Sequence, residues 1–331
     1  MSNGVEIQSY EQYVAEFINL LQIHAEAAGM ALSIIRDRLY RPNECWDALI
    51  LRMPDKNTAP NIYMEHFYNA YMEEKATLEE QVDGVVGILQ GADINIPDEF
   101  EALNYVKEHA FFRLMNADMN KELAAETAAE PIQDLVLVPY IMLKSDEEGQ
   151  ASCRLTRNLQ QHLQLSDSEV KRMCFENLAK EEFVVKSLNR IMAEMRGMAT
   201  DIPEDVLNDM FPKNPIYVIS NKSNVGGAIA LASPAALNMV SEELGDNFFI
   251  IPSSIHECLA IPVSFGLPPE ILKSMCEEVN ANPEIMERKD ILSDNIYYYD
   301  GKSLHICNSA EQFEQLHEEA IRATQHIGRR I

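Results

Sequence analysis

Residues 135–143 read Leu135-Val136-Leu137-Val138-Pro139-Tyr140-Ile141-Met142-Leu143, an almost unbroken run of large apolar side chains. A strand whose two alternating faces are both apolar is typically covered on both sides. The run therefore predicts a buried central strand. Pro139 has no amide hydrogen, so it predicts a bulge or an unpaired position within that strand. The apolar stretches at 110–115 and 151–156 are predicted as further strands, the second as the hairpin partner of the run.

Helix signals lie on both sides of this strand. Apolar residues at helical spacing predict helices over 9–28 and 269–280. Thr77 and Ser166 each precede a glutamate by three residues, which is the spacing of a capping box at a helix start. Together the strands and helices predict an α/β or α+β fold, with mixed sheets and helices packed on them.

The chain is predicted to form two lobes. Residues 196–214 include Gly197 and Pro203 and form the best candidate linker. Beyond them, short strands and helices follow one another closely. The sequence thus predicts an N-terminal α+β lobe over 1–200 and a C-terminal α/β lobe over 201–331.

The composition indicates a soluble acidic protein. Of 331 residues, 47% are hydrophobic, which is enough for a large core, and the formal net charge is -26. A field of that sign repels nucleic-acid phosphate and anionic membrane. It would suit a basic protein partner, a divalent cation or mimicry of nucleic acid. The plainest alternative is an acidic surface that serves solubility alone.

The sequence predicts a cytoplasmic location. No stretch approaches the ~20 apolar residues of a membrane-spanning helix. Residues 1–11 contain neither the basic region nor the apolar run of a signal peptide. The six cysteines include no Cys-x-x-Cys pair and most lie in apolar stretches, so they are predicted to be reduced and buried.

Several common catalytic and cofactor motifs are missing from the sequence. It contains no phosphate loop, dinucleotide fingerprint, nucleophile elbow, His-Glu-x-x-His or EF-hand loop. We therefore predict no cofactor. Gly226 and Gly227 are interpreted as a hairpin turn that leads into a strand at 227–231. Gly84 and Gly87, inside a predicted helix, are interpreted as points where another element approaches closely.

The segment Pro252–Glu257 holds the densest polar cluster in an apolar setting. Ser254 and His256 are the candidate catalytic residues, as nucleophile and base. Alternate residues of a strand share a face, so these two would lie on one side while Glu257 points away. A third catalytic residue would have to come from another segment. The alternative is a turn whose serines bind backbone amides and whose histidine bridges strands.

Two His-x-Cys pairs suggest a second kind of site. His256 with Cys258 and His305 with Cys307 would each present two metal ligands on one strand face. A zinc site would require the two strands to be neighbours. The usual short ligand spacing is missing, so buried thiols are the simpler interpretation and no metal is predicted.

Six segments of the chain resemble a bacterial family, the one numbered 5688 among the domains of unknown function. The Pro252–Glu257 segment is the most specific of them, and the resemblance spans about residues 10 to 325. It implies a bacterial cytoplasmic protein encoded near mobile elements and a single family unit, and it supplies no catalytic residue. The other segments are Ala59–Met64, Phe112–Asn116 with Asn120, Asp134-Leu135, Ile219–Asn221 and Leu292–Tyr297.

These observations favour a non-catalytic acidic protein with an interaction or regulatory role and a basic protein partner. One specific form would be an inhibitor that occupies the nucleic-acid groove of that partner. The alternative is a hydrolase-like enzyme that uses the segment Ser253–Glu257. Direct binding to nucleic acid or membrane is not expected.

Overall fold

The computed structural model describes residues 7–91 and 102–327, with gaps at 8, 55, 57, 147–148 and 213. The chain divides into two compact units, Met1–Ala102 and Leu103–Ile331. The division near residue 200 expected from the sequence falls inside the second unit. Strands on either side of that position are hydrogen-bonded to each other, at 183–187 and 217–221, which keeps the two segments in one body.

The first unit packs helices against one face of a small sheet. The sheet order is β1-β2-β3, and both strand pairings are antiparallel. Ser9 caps the first helix through the Gln12 amide, and the helix buries Tyr13, Phe17 and Leu21 in the core of this unit. Its elements are α1 (Tyr10–Ala27), β1 (Ser33–Arg41), β2 (Glu44–Arg52), β3 (Asn61–Tyr63), α2 (Met64–Met72) and α3 (Leu78–Gly91).

The second unit contains the predicted central strand. Its strands are β4 (Ala110–Asn116), β5 (Glu130–Ile132), β6 (Leu135–Asp146), β7 (Gly149–Arg154), β8 (Phe183–Ser187), β9 (Tyr217–Asn221), β10 (Phe248–Ile251), β11 (Cys258–Pro262), β12 (Tyr297–Tyr299) and β13 (Leu304–Ile306). Its α-helices are α4 (Leu103–His109), α5 (Lys121–Ala125), α6 (Arg157–His162), α7 (Asp167–Leu178), α8 (Leu188–Met195), α9 (Glu204–Met210), α10 (Pro234–Leu244), α11 (Pro269–Asn280) and α12 (Ala310–Ile327).

Strand β6 lies at the centre of a four-stranded sheet. It pairs with β4 along one edge and with β5 and then β7 along the other. On the edge of β6 that pairs with β5 and β7, Pro139 lies between the part paired with β5 and the part paired with β7. Its carbonyl accepts the Leu155 amide there. A residue without an amide hydrogen is tolerated at such an interruption. The register shift itself comes later, between Met142 and Lys144.

The other sheet of this unit has six strands in the order β13-β12-β10-β11-β9-β8. One face packs into the same core as β4 and β6, through Phe248, Tyr297 and Tyr299. The opposite face is covered by α11 and α12 through contacts that include Leu272 and Phe313. Both faces are therefore buried, which fits the run of three buried tyrosines in β12.

The predicted mixture of helices and sheets is confirmed, and it takes the α+β form. Every strand pairing in the described part of the chain is antiparallel. The strand expected at 227–231 is instead a 3-10 helix, Gly227–Ala232. Within the described ranges, no helix combines the length and apolar character required to cross a membrane.

Candidate functional site

The segment Pro252–Glu257 forms the connection between the antiparallel strands β10 and β11. Ser254 forms hydrogen bonds to other residues of the same loop. Its hydroxyl oxygen accepts the His256 backbone amide at 3.0 Å, and its own amide donates to the Glu257 carbonyl at 3.1 Å. The serine thus stabilises a local turn, as a hydroxyl commonly does at such positions.

The His256 ring bridges two other segments. Its Nδ1 accepts the Gly226 amide at 3.2 Å, and its Nε2 lies 3.9 Å from Asp290 Oδ1. An acceptor at Nδ1 places the proton of the neutral ring on Nε2. The side chain is 42% exposed. The structure therefore places Ser254 and His256 in one loop, but no hydrogen bond joins the ring to the serine hydroxyl among the described contacts.

The backbone of this loop is held by three neighbouring segments. Ser220 Oγ donates to the His256 carbonyl at 2.8 Å, and the Ala228 amide donates to the Ile255 carbonyl at 3.3 Å. The Ile255 amide donates to the Asp290 carbonyl at 3.0 Å. These bonds tie the connection to the end of β9, to the start of the 3-10 helix and to the segment before β12.

The geometry predicts that Ser254 is not an activated nucleophile. We expect a fluorophosphonate probe to leave it unlabelled, because a serine reacts only when a nearby base removes its proton. Intact-mass and peptide mass spectrometry would read the outcome, with a serine hydrolase in the same reaction as a positive control. An adduct on Ser254 would contradict this prediction and support the hydrolase hypothesis, which stays untested.

The two His-x-Cys pairs do not meet. Cys258 lies in β11 and His305 in β13, and two strands, β10 and β12, separate them in the sheet. Burial raises the pKa of the Cys258 thiol, and burial likewise raises that of Cys307 to about 11. Among the described residues, no three His, Cys, Asp or Glu side chains form a group that could hold a metal ion.

A second polar cluster centres on Asp134, just before β6. Its Oδ1 accepts the Tyr297 hydroxyl at 2.6 Å. Its Oδ2 accepts the Ser293 hydroxyl at 2.5 Å and the Asn295 side-chain amide at 2.8 Å. One carboxylate thus takes three hydrogen bonds from a single later segment, 293–297.

This Asp134 cluster lies largely out of contact with water. Tyr297 is fully buried and Ser293 is 2% exposed. Burial, and next to it the charge of Asp134, raises the pKa of Tyr297, so its hydroxyl stays a donor. Asn116 extends the contact by donating from Nδ2 to the Leu292 carbonyl at 2.7 Å. The cluster fastens the four-stranded sheet to the six-stranded one.

Reasoning from the residues missed this cluster, although two of the resembling segments contain it. Asp134-Leu135 and Leu292–Tyr297 carry no local pattern that reveals a shared contact. Only the structure brings them together. Because two of its three donors, Tyr297 and Ser293, are buried, the cluster is an organising element of the fold.

The first unit contains an open cavity of about 450 Å³ with a charged lining. Arg36 lines it and donates to both Asp47 and Glu11, at distances from 2.6 to 3.1 Å. Hydrogen bonds from Arg36 lower the pKa of both carboxyls. The guanidinium is thus already neutralised. The lining residues are Tyr10, Glu11, Arg36, Asp37, Arg38, Asp47 and Glu65.

The architecture defines an antiparallel α+β protein in which three of the family-resembling segments, Phe112–Asn116, Asp134-Leu135 and Leu292–Tyr297, meet in one hydrogen-bonded cluster. The chain belongs to a family of unknown function (DUF5688), whose model matches residues 10–301. This confirms the resemblance inferred from the sequence. No curated protein and no solved structure matches the chain.

Proposed function

We propose that this protein is a non-catalytic interaction module that binds a basic amphipathic helix of another protein. The observation that carries the proposal is one surface that combines exposed apolar side chains with carboxylates. We call it the α8–α9 surface and define it by Met195, Asp205, Val206, Asp209 and Met210.

Helices α8 and α9 pack against each other. Arg190 Nε of α8 donates to Glu204 Oε1 at the start of α9 at 3.0 Å, and Asn189 Nδ2 donates to Asn208 Oδ1, in the second half of α9, at 2.8 Å. At their ends, the Arg196 guanidinium lies 5.0 Å from the centre of the Phe211 ring. These contacts bring the last residues of the two helices close together.

Three large apolar side chains of this pair remain in solvent. The exposed fractions are 82% for Met195, 56% for Met210 and 42% for Val206. Val206 and Met210 are four residues apart, so they form one stripe on α9. Methionine side chains adapt to different apolar partners, and exposed apolar groups that cluster mark interaction sites.

A second stripe on α9 carries the charge. Asp205 and Asp209 are also four residues apart, are exposed, and lie directly beside the apolar stripe. Neither forms an ion pair with another described residue, whereas the nearby Glu194 and Glu204 are paired with Lys186 and Arg190. An amphipathic helix with lysine or arginine along its polar edge would complement both stripes.

This form of the proposal leaves out nucleic-acid mimicry. Exposed carboxylates in the described part of the chain are distributed over many helices, among them α1, α3, α7, α9, α11 and α12. A mimic of duplex phosphate would need them in regular rows on one surface. The apolar side chains of the α8–α9 surface also have no counterpart in a phosphate backbone.

The Asp205→Lys/Asp209→Lys double variant should weaken binding of a fluorescent Leu- and Lys-based helical peptide. We expect its Kd, measured by fluorescence anisotropy, to rise at least about tenfold, because attraction becomes repulsion at the contact. Met195→Ser/Met210→Ser should weaken binding as well, through lost apolar contact.

The matched control is Glu278→Lys/Glu284→Lys, which changes the net charge by the same amount at two exposed positions elsewhere. It should alter Kd by less than about threefold, because distant surface charges are screened by salt. An equal rise in Kd for both charge variants would show that peptide binding depends only on the net charge of the protein, and the proposal would fail.

A further inference from the structure

Two arginines of the four-stranded sheet have little carboxylate pairing among the described residues, since one forms no ion pair there and the other forms a single ion pair of 3.4 Å. They are Arg113 on β4 and Arg154 on β7. Directly paired residues of antiparallel strands share a face. Tyr140 of β6 is paired with Phe111 on one side and with Arg154 on the other, so Arg113 and Arg154 lie on the same face.

Arg113 extends across β6 toward β7. Its guanidinium lies 4.8 Å from the centre of the Tyr140 ring, and Nη2 donates to Ser152 Oγ at 2.8 Å. Ser152 and Arg154 are two residues apart on β7 and share this face. The two guanidinium groups and the hydroxyl therefore gather around Tyr140.

The positive charge of this group is poorly compensated. Arg113 forms no ion pair with any described carboxylate, and burial lowers its pKa. Arg154 reaches one carboxylate, at 3.4 Å from Nη2 to Glu126 Oε2. Its Nε and Nη1 are buried without a hydrogen-bond partner among the residues that the structure describes. Unpaired buried donors of a charged group lower the stability of the folded protein. A bound anion that accepts from them would remove this cost.

We propose that Arg113, Ser152 and Arg154 form a binding site for an oxyanion, the carboxylate or phosphate group of a small molecule. Guanidinium groups bind both oxyanions through paired N–H donors. The Ser152 hydroxyl adds a further donor. An anion held at Arg113 would supply an acceptor for the two unpaired nitrogens of Arg154. The site is independent of the α8–α9 surface.

Thermal unfolding in increasing sodium phosphate and, separately, sodium acetate tests this site, with sodium chloride at equal ionic strength as reference. The wild-type midpoint should rise with a saturable dependence on at least one oxyanion. A rise of the midpoint with phosphate alone would identify the ligand group as a phosphate, and a rise with acetate alone would identify it as a carboxylate. No response beyond that of chloride overturns the proposal.

Arg154→Met and Arg113→Met should each raise the apparent Kd for the oxyanion at least about tenfold. Arg172→Met removes an exposed arginine that pairs with Glu176 on α7, and it should leave the response unchanged. Equal responses in wild type and in the Arg154 and Arg113 variants would overturn the proposal.

The ligand-free Arg154→Met protein gives an independent readout. If the arginine serves ligand binding, its midpoint should equal or exceed that of the wild type, because two unpaired buried donors are removed. A clear fall in the midpoint would instead identify Arg154 as a structural partner of Glu126 and count against the site.

Discussion

Replacing Gly227 by alanine should lower the free energy of unfolding by about 3 kcal/mol or more, a loss at the severe end for one methyl group. A Cβ at this position would lie 2.2 Å from Ser220 Oγ, 2.5 Å from the Asn221 amide nitrogen and 2.6 Å from the His256 carbonyl oxygen. Two of these three atoms belong to the backbone. The methyl group could be accommodated only by displacing the loop from β9.

Urea or thermal unfolding would measure this loss, and recovery of the variant only as aggregate would agree with it. Gly84→Ala is the matched control, since it adds the same atom in α3 at a position where no atom of the described residues lies within 4 Å. It should gain about 0.5–1 kcal/mol from helix propensity. A Gly227→Ala protein as stable as the wild type would show that the close packing at this position is incorrect.

The contrast between these glycines shows a limit of reasoning from sequence. Close approach was expected at Gly84 and Gly87, which in fact lie beside open space, and a free turn was expected at Gly227, which is the crowded position. A glycine in the sequence shows only that no side chain contributes to packing at that position. Whether another element fills that space depends on tertiary contacts.

Signals that act within a few residues were reliable. The capping boxes at Thr77 and Ser166 form as predicted, and helix α11 has the predicted bounds. Each depends on hydrogen bonds between near neighbours or on a starting proline. The run Gly227–Leu231 has no such signal, and its short apolar pattern fits a strand or a helical turn equally well.

Contacts between distant segments could not be predicted. The Ser254 and His256 pair was singled out because the residues are close in sequence, yet their side chains serve separate partners. Asp134 belongs to a family-resembling segment but carries no local signal of a contact, and its partners lie 159 to 163 positions further along the chain. Hydrogen bonds between residues so far apart in the chain form because the two sheets pack together. No local sequence pattern indicates that packing.

Asp134→Ala should destabilise the protein by about 3–5 kcal/mol. The substitution leaves the hydroxyls of Tyr297 and Ser293 buried without their acceptor, and each unpaired buried donor costs about 1–3 kcal/mol. Loss of the contact also releases the start of β6 from the segment before β12. Chemical unfolding monitored by circular dichroism would measure the effect.

A double-mutant cycle with Tyr297→Phe isolates the hydrogen bond from other effects of the substitution. The single Tyr297→Phe change should cost about 1–3 kcal/mol. Together with Asp134→Ala it should cost less than the sum, by about 1 kcal/mol or more, because phenylalanine leaves no donor to satisfy. Strict additivity would mean that the two side chains do not interact.

Asp118→Ala is the matched control, since Asp118 is 86% exposed and pairs only with Lys121 among the described residues. An exposed ion pair of this kind contributes little, so the change should stay within about 0.5 kcal/mol. If Asp134→Ala were as mild as this control, the carboxylate could not be what holds the two sheets together. The large difference is expected because Asp134 accepts from buried donors, whereas water can replace the partner of Asp118.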